Sequence, residues 1–306
     1  MTKSTPHPSF TIYAVVLNWN RADDTLYCLE SLANQQEVTP RLLVVDNGST
    51  DDSVRLIQEK LAHVEVLVNQ SNLGFGRGFN RGIRYAFDAG ADYVFIANND
   101  AYLESGALKT LLKYATQDVG LLAPAIYYHS DKTRIWSVGG KVSSILLEKK
   151  DEFQQQRDRG NWPEIIEQDF ITGCGVLIPR WTYERVGVFD ERFKMYYEDS
   201  DLCWRVKKAG LRILVVPAAK MWHKVSLSSG GSDSPNERYW MARSSVLFFR
   251  KHARRLQKPA VVLWRAGSAI RTSLRLITKR RWPSLTAYWR GLRDGFREPA
   301  HADFIP

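Results

Sequence analysis

The sequence predicts an α/β fold, with a mainly parallel sheet flanked by helices on both faces and a basic helical appendage at the C-terminal end. Three observations carry this prediction. Short runs rich in Val and Ile alternate with helical patterns over the first hundred residues, an order typical of parallel sheets. With 306 residues and 44% hydrophobic content, the chain can build one large core. The net charge of +10 is concentrated in residues 235–298, which alone sum to +13.

Apolar runs and helical patterns define the first half of the chain. Buried strands are predicted at residues 12–17, 42–45, 64–68 and 93–97. Helices are predicted at 23–34, 51–62 and 76–89, the second starting at Asp51 after a Gly-Ser-Thr turn. Ligands of such sheets bind at the carboxyl ends of the strands. The residues that follow each run are therefore the first candidates for a functional site.

The second half has a weaker pattern. Further strands are predicted at 121–127, 135–138, 170–178 and 213–216, and a helix at 202–209 that ends at Gly210. The charged stretch 149–159 is predicted to be a mobile loop. Gly173 and Gly175 interrupt one of the strands, which indicates a close approach of the backbone to a ligand or to another chain.

Composition excludes several classes of protein. The three cysteines, Cys28, Cys174 and Cys203, show no CxxC spacing, which argues against a disulfide framework or a zinc site. No apolar run approaches the ~20 residues of a membrane-spanning helix. Residues 1–9 are polar and show no signal-peptide pattern. The cytoplasm is therefore the expected compartment.

Polar residues follow three of the predicted strands. Asn18-Trp19-Asn20, Asp46-Asn47-Gly48-Ser49 and Asn98-Asn99-Asp100 each stand directly after an apolar run. A glycine-rich stretch at 72–80 and an acidic run at 197–202 complete the pattern. Taken in order, segments 15–20, 44–49, 72–80, 98–100, 173–175 and 197–202 resemble family 2 glycosyltransferases, in particular the bacterial rhamnosyltransferase-like branch. The resemblance covers about residues 10–225.

The resemblance implies a GT-A fold, which is Rossmann-like, and transfer of a sugar from a nucleotide diphosphate with inversion. It divides residues 1–234 into a nucleotide-binding half, about 10–119, and an acceptor half, about 120–234. The family branch favours dTDP-L-rhamnose as donor, although other relatives use UDP-linked sugars, including UDP-galactofuranose. The implied acceptor is a lipid-linked or polysaccharide intermediate of the cell envelope.

On the nucleotide side, the resemblance assigns Asp46 to the pyrimidine ring, where a carboxylate can accept an imide N–H. The glycine-rich stretch enters a helix, whose N-terminus suits an anionic diphosphate. The remaining residues expected to bind nucleotide are Asn18, Asn20, Gly76, Arg77, Asn80 and Asn99. A turn-forming Asp-Asn-Gly and a flexible helix-start loop are the alternative interpretations.

Asn98-Asn99-Asp100 aligns with the family's DxD element, which holds a divalent metal, Mn²⁺ or Mg²⁺. Hard cations prefer oxygen ligands, and a metal can neutralise a diphosphate leaving group. The implied ligands are Asp100 and His223. Asn98 replaces the first carboxylate of the element, so the metal affinity is expected to be weak without nucleotide. Strand-end capping and a structural histidine are the alternatives.

Glu198-Asp199 matches the family's catalytic pair, with Asp199 as the general base that deprotonates the acceptor hydroxyl. Gly173, Cys174, Glu198 and Asp201 are expected on the acceptor or sugar side. The alternative is that these acids only open a helix, where they suit its dipole.

Residues 235–306 are expected to form basic amphipathic helices, broken at Pro259 and Pro283. Arginines interleaved with tryptophan and phenylalanine suit an anionic membrane surface, which predicts peripheral association with the inner face of the membrane. A solvated helical face and a homo-oligomer contact are the alternatives. No nucleic-acid partner is expected. The basic charge by itself would permit one, but no recognised nucleic-acid-binding motif is present.

Two other functions are compatible with a nucleotide-binding α/β fold. A sugar-phosphate nucleotidyltransferase would need an early glycine-rich loop with arginine and lysine, which the sequence lacks. A non-catalytic membrane scaffold would not need the complete set of Asp46, Asp100 and Asp199.

Overall fold

Residues 12–98 fold as alternating strands and helices in a computed structural model that describes residues 10–225 and 232–299. The strands are β1 (Ile12–Asn18), β2 (Arg41–Asp46), β3 (Glu65–Val68) and β4 (Tyr93–Asn98). The helices are α1 (Ala22–Ala33), α2 (Ser53–Lys60) and α3 (Phe75–Asp88). The four strands are parallel, in the order β4-β1-β2-β3, so the sequence prediction is confirmed here. The predictions for residues 1–9 and 300–306 lie outside the described residues.

The second half of the chain extends this sheet. The strands in this half of the chain are β5 (Ala101–Leu103), β6 (Val119–Tyr128), β7 (Asp131–Ser137), β8 (Gly140–Val142), β9 (Lys149–Asp151), β10 (Ile166–Glu167), β11 (Gly175–Pro179) and β12 (Arg212–His223). Of these, β8 and β9 form a separate two-stranded sheet. Its helices are α4 (Ala107–Leu112), α5 (Arg180–Val186) and α6 (Glu198–Lys208). β11 runs antiparallel between β4 and β6, and β12 is parallel to β6.

Apolar layers cover both faces of the sheet. One layer includes Phe79 and Ile83 of α3 and Leu202 of α6. The other includes Leu29 of α1 and Leu108 of α4. Because helices cover both faces, the polar ends of the strands are the part of the sheet left open to a ligand.

Five boundary predictions were wrong. The predicted loop 149–159 begins with β9, which pairs with β8 to form a hairpin, because Leu147 is fully buried at its tip and anchors it. α2 begins at Ser53, whose N–H is bonded to the Asp51 carboxylate. α6 begins at Glu198, four residues earlier than predicted.

Two strands, β11 and β12, also differ from the prediction. β11 begins only at Gly175, and a bulge between Val216 and Lys220 carries β12 on to His223. His223 is therefore held in the sheet, beside β5, and does not merely follow a strand.

Three helices form the C-terminal end: α7 (Pro235–His252), α8 (Lys258–Thr278) and α9 (Trp282–Arg297). Pro259 and Pro283 occupy first-turn positions of α8 and α9, where proline is tolerated, so the predicted breaks are confirmed. α7 packs against the α/β part of the chain: Ser244 donates a hydrogen bond to the Met195 carbonyl at 2.8 Å. Among the described residues, no helix is both long and apolar enough to cross a membrane.

Candidate active site

A cavity of about 320 Å³ lies at the carboxyl ends of β1 and β4, where the sequence analysis placed the site. Its lining residues are Leu17, Trp19, Asn20, Arg21, Asn47, Asn72, Gly74, Phe75, Phe79, Asn98, Asn99, Asp100 and Met195. Of the residues expected to bind nucleotide or metal, Asn20, Asn99 and Asp100 line this cavity directly.

Asn18 and Asp46 are buried beside the cavity and organise the loops that bound it. Asn18 Nδ2 donates to Asp46 Oδ1 at 2.7 Å, and the Ser49 hydroxyl donates to the same oxygen at 2.6 Å. Asp46 Oδ2 accepts the Ser49 N–H at 2.9 Å. The Ser49 hydroxyl in turn accepts the N–H of Asn20 at 2.8 Å. Both Asp46 oxygens are thus used within the protein, and the network fixes the position of Asn20 on the cavity wall.

Asp100 and His223 meet at the end of the sheet. His223 Nε2 lies 2.9 Å from Asp100 Oδ1 and 3.5 Å from Asn98 Nδ2. Burial alone would raise the pKa of the Asp100 carboxyl, but the hydrogen bond and charge of His223 outweigh it and leave that pKa below its ordinary value. Asp100 Oδ2 is buried and has no hydrogen-bond partner. An orphaned carboxylate oxygen of this kind is an open ligand position for a cation.

The described residues contain no group of three or more His, Cys, Asp or Glu side chains that could hold a metal. Asp100 and His223 therefore fit a metal only as two protein ligands of an incomplete site. The oxygens of a bound diphosphate could complete such a site, because Mg²⁺ is often held by one or two protein ligands together with phosphate oxygens.

The glycine-rich stretch packs differently from an open phosphate loop. Gly74 has a φ of +88°, and a Cβ there would lie 2.4 Å from the Lys194 carbonyl oxygen. Gly76 faces Phe189, and a Cβ added at Gly76 would lie 3.2 Å from the Cβ of Phe189. The Phe75 N–H donates to the Lys194 carbonyl at 3.0 Å. The start of α3 thus lies against residues 189–194.

Arg77 and Asn80 bind that same segment and do not line the cavity. Arg77 Nε donates to Glu191 at 2.9 Å. Asn80 donates to the Phe189 carbonyl at 2.8 Å and accepts the Phe189 N–H at 3.0 Å. Both side chains therefore hold the segment that leads to Asp199.

Asp199 occupies the first turn of α6, after two residues with left-handed backbone, Tyr196 (φ 65°) and Tyr197 (φ 67°). Such strain in residues other than glycine is concentrated at functional sites. Asp199 Oδ1 accepts the Ser200 N–H at 2.6 Å and its hydroxyl at 3.0 Å. A Cβ on Gly173 would lie 3.0 Å from the Phe75 ring and 3.8 Å from Asp199 Cβ. Gly173 thus lies between the cavity wall and Asp199, and its lack of a side chain brings them together.

Glu198 and Cys174 are buried near Asp199 and Asn98, respectively. Burial, and then the charge of Asp199, raise the pKa of Glu198 to about 8. The Cys174 carbonyl accepts the Asn98 N–H at 2.9 Å, which ties β11 to the end of β4. Burial raises the pKa of the Cys174 thiol well above its ordinary value.

Asp201 is fully buried and lies away from any open surface. Lys251 Nζ, His252 Nε2 and Arg205 Nε lie 2.5, 2.8 and 2.8 Å from its oxygens. Burial would raise its pKa, but these partners, first of all His252, lower it far below the ordinary value. Since Lys251 and His252 belong to α7, Asp201 joins the catalytic region to the C-terminal helices.

Sequence reasoning did not assign a role to Trp19, Arg21 or Lys149. Trp19 has an exposed ring and lines the cavity with Arg21. A large aromatic side chain between two asparagines was a signal available in the sequence. Lys149 contacts Ser200 at 2.7 Å, and no local pattern could show this, because fifty residues separate the two.

Solved structures define the class of the fold. A mannosyltransferase from Pyrobaculum calidifontis, solved with GDP-Man and Mn²⁺, superposes with a TM-score of 0.58 at 15% identity, over 97% of this chain and 79% of its own. The fold is therefore that of the GT-A glycosyltransferases, in accord with the expectation.

The family follows from the sequence comparison. Residues 13–178 match the model of glycosyl transferase family 2, so the chain belongs to this family and is an inverting glycosyltransferase of the rhamnosyltransferase-like type.

Two curated relatives are rhamnosyltransferases. N-acetylglucosaminyl-diphospho-decaprenol L-rhamnosyltransferase of Mycobacterium tuberculosis (strain ATCC 25618 / H37Rv) is 30% identical over 226 residues, 65% of this chain and 71% of that protein. The dTDP-rhamnosyl transferase RfbF of Shigella flexneri is 25% identical over 251 residues, 79% of this chain and 80% of its own.

Proposed function

We propose that this enzyme transfers L-rhamnose from dTDP-L-rhamnose, with inversion, to a lipid-linked or polysaccharide acceptor in cell-envelope glycan synthesis. The observation that carries the proposal is the similarity to two rhamnosyltransferases along most of their length. The cavity supports it, because Asp100 lies on its wall and Asp199 adjoins it through Gly173 and Phe75.

The nucleotide occupies the cavity at the ends of β1 and β4. The exposed Trp19 ring offers a face for stacking on the base, and Arg21 places a positive charge near Asp100. The amides of Asn20 and Asn99 supply hydrogen-bonding groups on the wall. Asn18 and Asp46 shape the loop that carries Asn20, and Gly76, Arg77 and Asn80 brace the segment before Asp199.

A divalent metal, Mn²⁺ or Mg²⁺, would be held by Asp100 and His223 together with the diphosphate. When bound, it would neutralise the charge that develops on the leaving nucleoside diphosphate. The unpartnered Asp100 Oδ2 supports this assignment.

Asp199 is the general base. As the acceptor oxygen forms its bond to the anomeric carbon, the bond from that carbon to the diphosphate oxygen breaks, and the acceptor proton passes to Asp199. Ser200 occupies Asp199 Oδ1, which directs the proton to Oδ2. Glu198, Gly173 and Cys174 form the backing of this acceptor side, whereas Asp201 supports α6 from behind.

The test is a donor panel. Purified enzyme is incubated with dTDP-L-rhamnose, UDP-galactofuranose, UDP-glucose and UDP-N-acetylglucosamine, each with Mn²⁺ and a polyprenyl-diphospho-sugar acceptor, and release of nucleoside diphosphate is measured. We expect release that depends on the acceptor with dTDP-L-rhamnose. Turnover with a UDP-sugar and none with dTDP-L-rhamnose would contradict the donor assignment while leaving the glycosyltransferase class intact.

We further propose that residues 1–234 form the catalytic unit and that the following helices hold it on an anionic membrane. On α9, Trp282, Trp289 and Phe296 recur every seven residues and are 56%, 52% and 65% exposed, so they share one face of the helix. Exposed apolar residues on α8 are Val262, Leu263, Trp264, Ile270, Leu274 and Ile277. The local charge of +13, against −3 for the rest of the chain, favours an anionic lipid surface.

Liposome co-sedimentation separates this partner from the others. The full chain is expected to bind vesicles containing phosphatidylglycerol, and Trp289→Ala with Phe296→Ala is expected to weaken binding. Val68→Ala, at a similarly exposed apolar residue of β3, is the matched control and should bind as wild type. If wild type ignores the vesicles and sediments as a dimer, this face is a homo-oligomer contact instead.

A further inference from the structure

Lys149 lies next to the proposed base although it comes from a distant hairpin. Its Nζ donates to the Ser200 hydroxyl at 2.7 Å, and that hydroxyl donates to Asp199 Oδ1 at 3.0 Å. The side chain is half-buried and lies over the rings of Phe170 (5.3 Å) and Tyr197 (4.7 Å). Two aromatic faces and one hydroxyl thus hold the ammonium group in a single place.

The charges around Asp199 are mostly negative or neutral. From its own helix it faces Glu198, and Cys203, whose pKa burial raises to about 12. From β9 it faces Asp151 and Lys149. Lys149 brings a positive charge to this acidic group, and its pKa stays above the ordinary value despite burial, because of Asp199 and Tyr197.

The hairpin that carries Lys149 is fixed at its tip and at β8. At the tip, Leu147 is buried in a cluster with Phe193 and Phe248. On β8, the strand opposite Lys149, the Val142 N–H donates to Asp169 at 2.9 Å. Because side chains alternate along a strand, Lys149 faces α6 while Lys150 points to the other face and is exposed. Lys150 is thus a matched control that shares the charge and the strand but not the contact.

We propose that Lys149 is a positioning residue for the general base: it orients the Ser200 hydroxyl onto Asp199 Oδ1, leaving Oδ2 to take the acceptor proton. The inference rests on the proposed role of Asp199. Lys149 itself touches neither the acceptor nor the donor in this role.

The experiment compares Lys149→Met, Lys149→Arg and Lys150→Met in the full chain, with kcat, the KM for donor and the thermal midpoint as readouts. For Lys149→Met we expect kcat to fall about tenfold to a hundredfold, less than for loss of the base itself. Lys149→Arg should restore part of kcat, and the donor KM should stay within about twofold of wild type.

Two further variants keep the test decisive. If Lys149→Met does not fold, Ser200→Ala removes the link alone and should lower kcat by less while leaving the donor KM unchanged. A purely structural lysine would lower the thermal midpoint and leave the kcat of the folded fraction unchanged, and that result would overturn the inference. If Asp199→Asn turns over normally, the base assignment has failed. If Asp199→Asn is inactive while Lys149→Met keeps the kcat of Lys150→Met, only the role of Lys149 is wrong.

Discussion

Asp199 and Asp201 stand two residues apart on α6, yet their surroundings are opposite. Asp199 is half-exposed and has one oxygen bonded to Ser200. Asp201 is fully buried among Lys251, His252 and Arg205. A helix turns about 100° per residue, so two positions place these carboxylates on nearly opposite faces. One acidic run therefore supplies both the proposed base and an anchor, and the helix geometry places them on different faces.

The largest expected effects come from substitutions that remove the charge of each carboxylate. For Asp199→Asn we expect kcat to fall by about 10²–10⁴, because the amide cannot accept the acceptor proton. Donor binding and the thermal midpoint should stay close to wild type. The measurement is steady-state turnover beside calorimetric titration with dTDP. Near-normal turnover in a purified variant would remove Asp199 from the mechanism.

Asp201→Asn should show the reverse pattern. Removing one member of a buried ion pair typically costs about 3–5 kcal/mol, because Lys251, His252 and Arg205 lose their shared counter-charge. We expect urea denaturation to show a loss of that order, while the folded fraction keeps its kcat. A variant as stable as wild type but with lower kcat would place Asp201 on the acceptor side after all.

Asp100 combines the two situations, since it is buried like Asp201 but has one unpartnered oxygen. We expect Mn²⁺ to tighten dTDP binding to the wild type and to lose most of this effect in Asp100→Ala, as measured by calorimetry with and without metal. Asn98→Asp should strengthen the effect, because it restores a second carboxylate ligand. If metal does not alter wild-type affinity, the assignment of Asp100 and His223 is wrong.

The smallest effect concerns Glu198, which is buried and whose Oε2 has no hydrogen-bond partner. Its folded-state pKa of about 8 lies above the ordinary value of about 4.3, so the folded state binds the proton more tightly than the unfolded state. The stability that this proton provides is complete below about pH 4 and is lost as pH rises to about 8. Glu198→Gln should therefore flatten the decline of the thermal midpoint between those values. Parallel curves for the two proteins would show that Glu198 is ionised in the folded state.

Local signals predicted the part of the site that lies on the parallel strands. Val- and Ile-rich runs followed by Asn or Asp place Asn20, Asn99 and Asp100 at one edge of the sheet, because parallel strands end on the same side. The strand ends were therefore predictable from pattern, and the order of the motifs was enough to indicate the family.

The remainder depends on contacts between distant segments, which leave no periodic trace. Nothing near Lys149 indicates that it meets Ser200, and its charged neighbourhood suggested a mobile loop. Two of the three partners of Asp201, Lys251 and His252, come from α7, fifty residues later. Asp46 illustrates a third limit: its position was predicted, but only the structure shows that both its oxygens are engaged by Asn18 and Ser49.

The left-handed turn at Tyr196 and Tyr197 bears on how modular this enzyme is. Each such residue typically costs about 1–3 kcal/mol of strain, and the Tyr197 ring packs against Phe248 and Phe249 of α7, with centroids 5.3 and 6.3 Å away. The helix that begins the C-terminal segment thus holds in place the turn that presents Asp199. A chimera that exchanged residues 235–299 for those of another transferase would have to bring its own version of residues 196–201 with it. The two stretches depend on each other structurally, although more than thirty positions separate them along the chain.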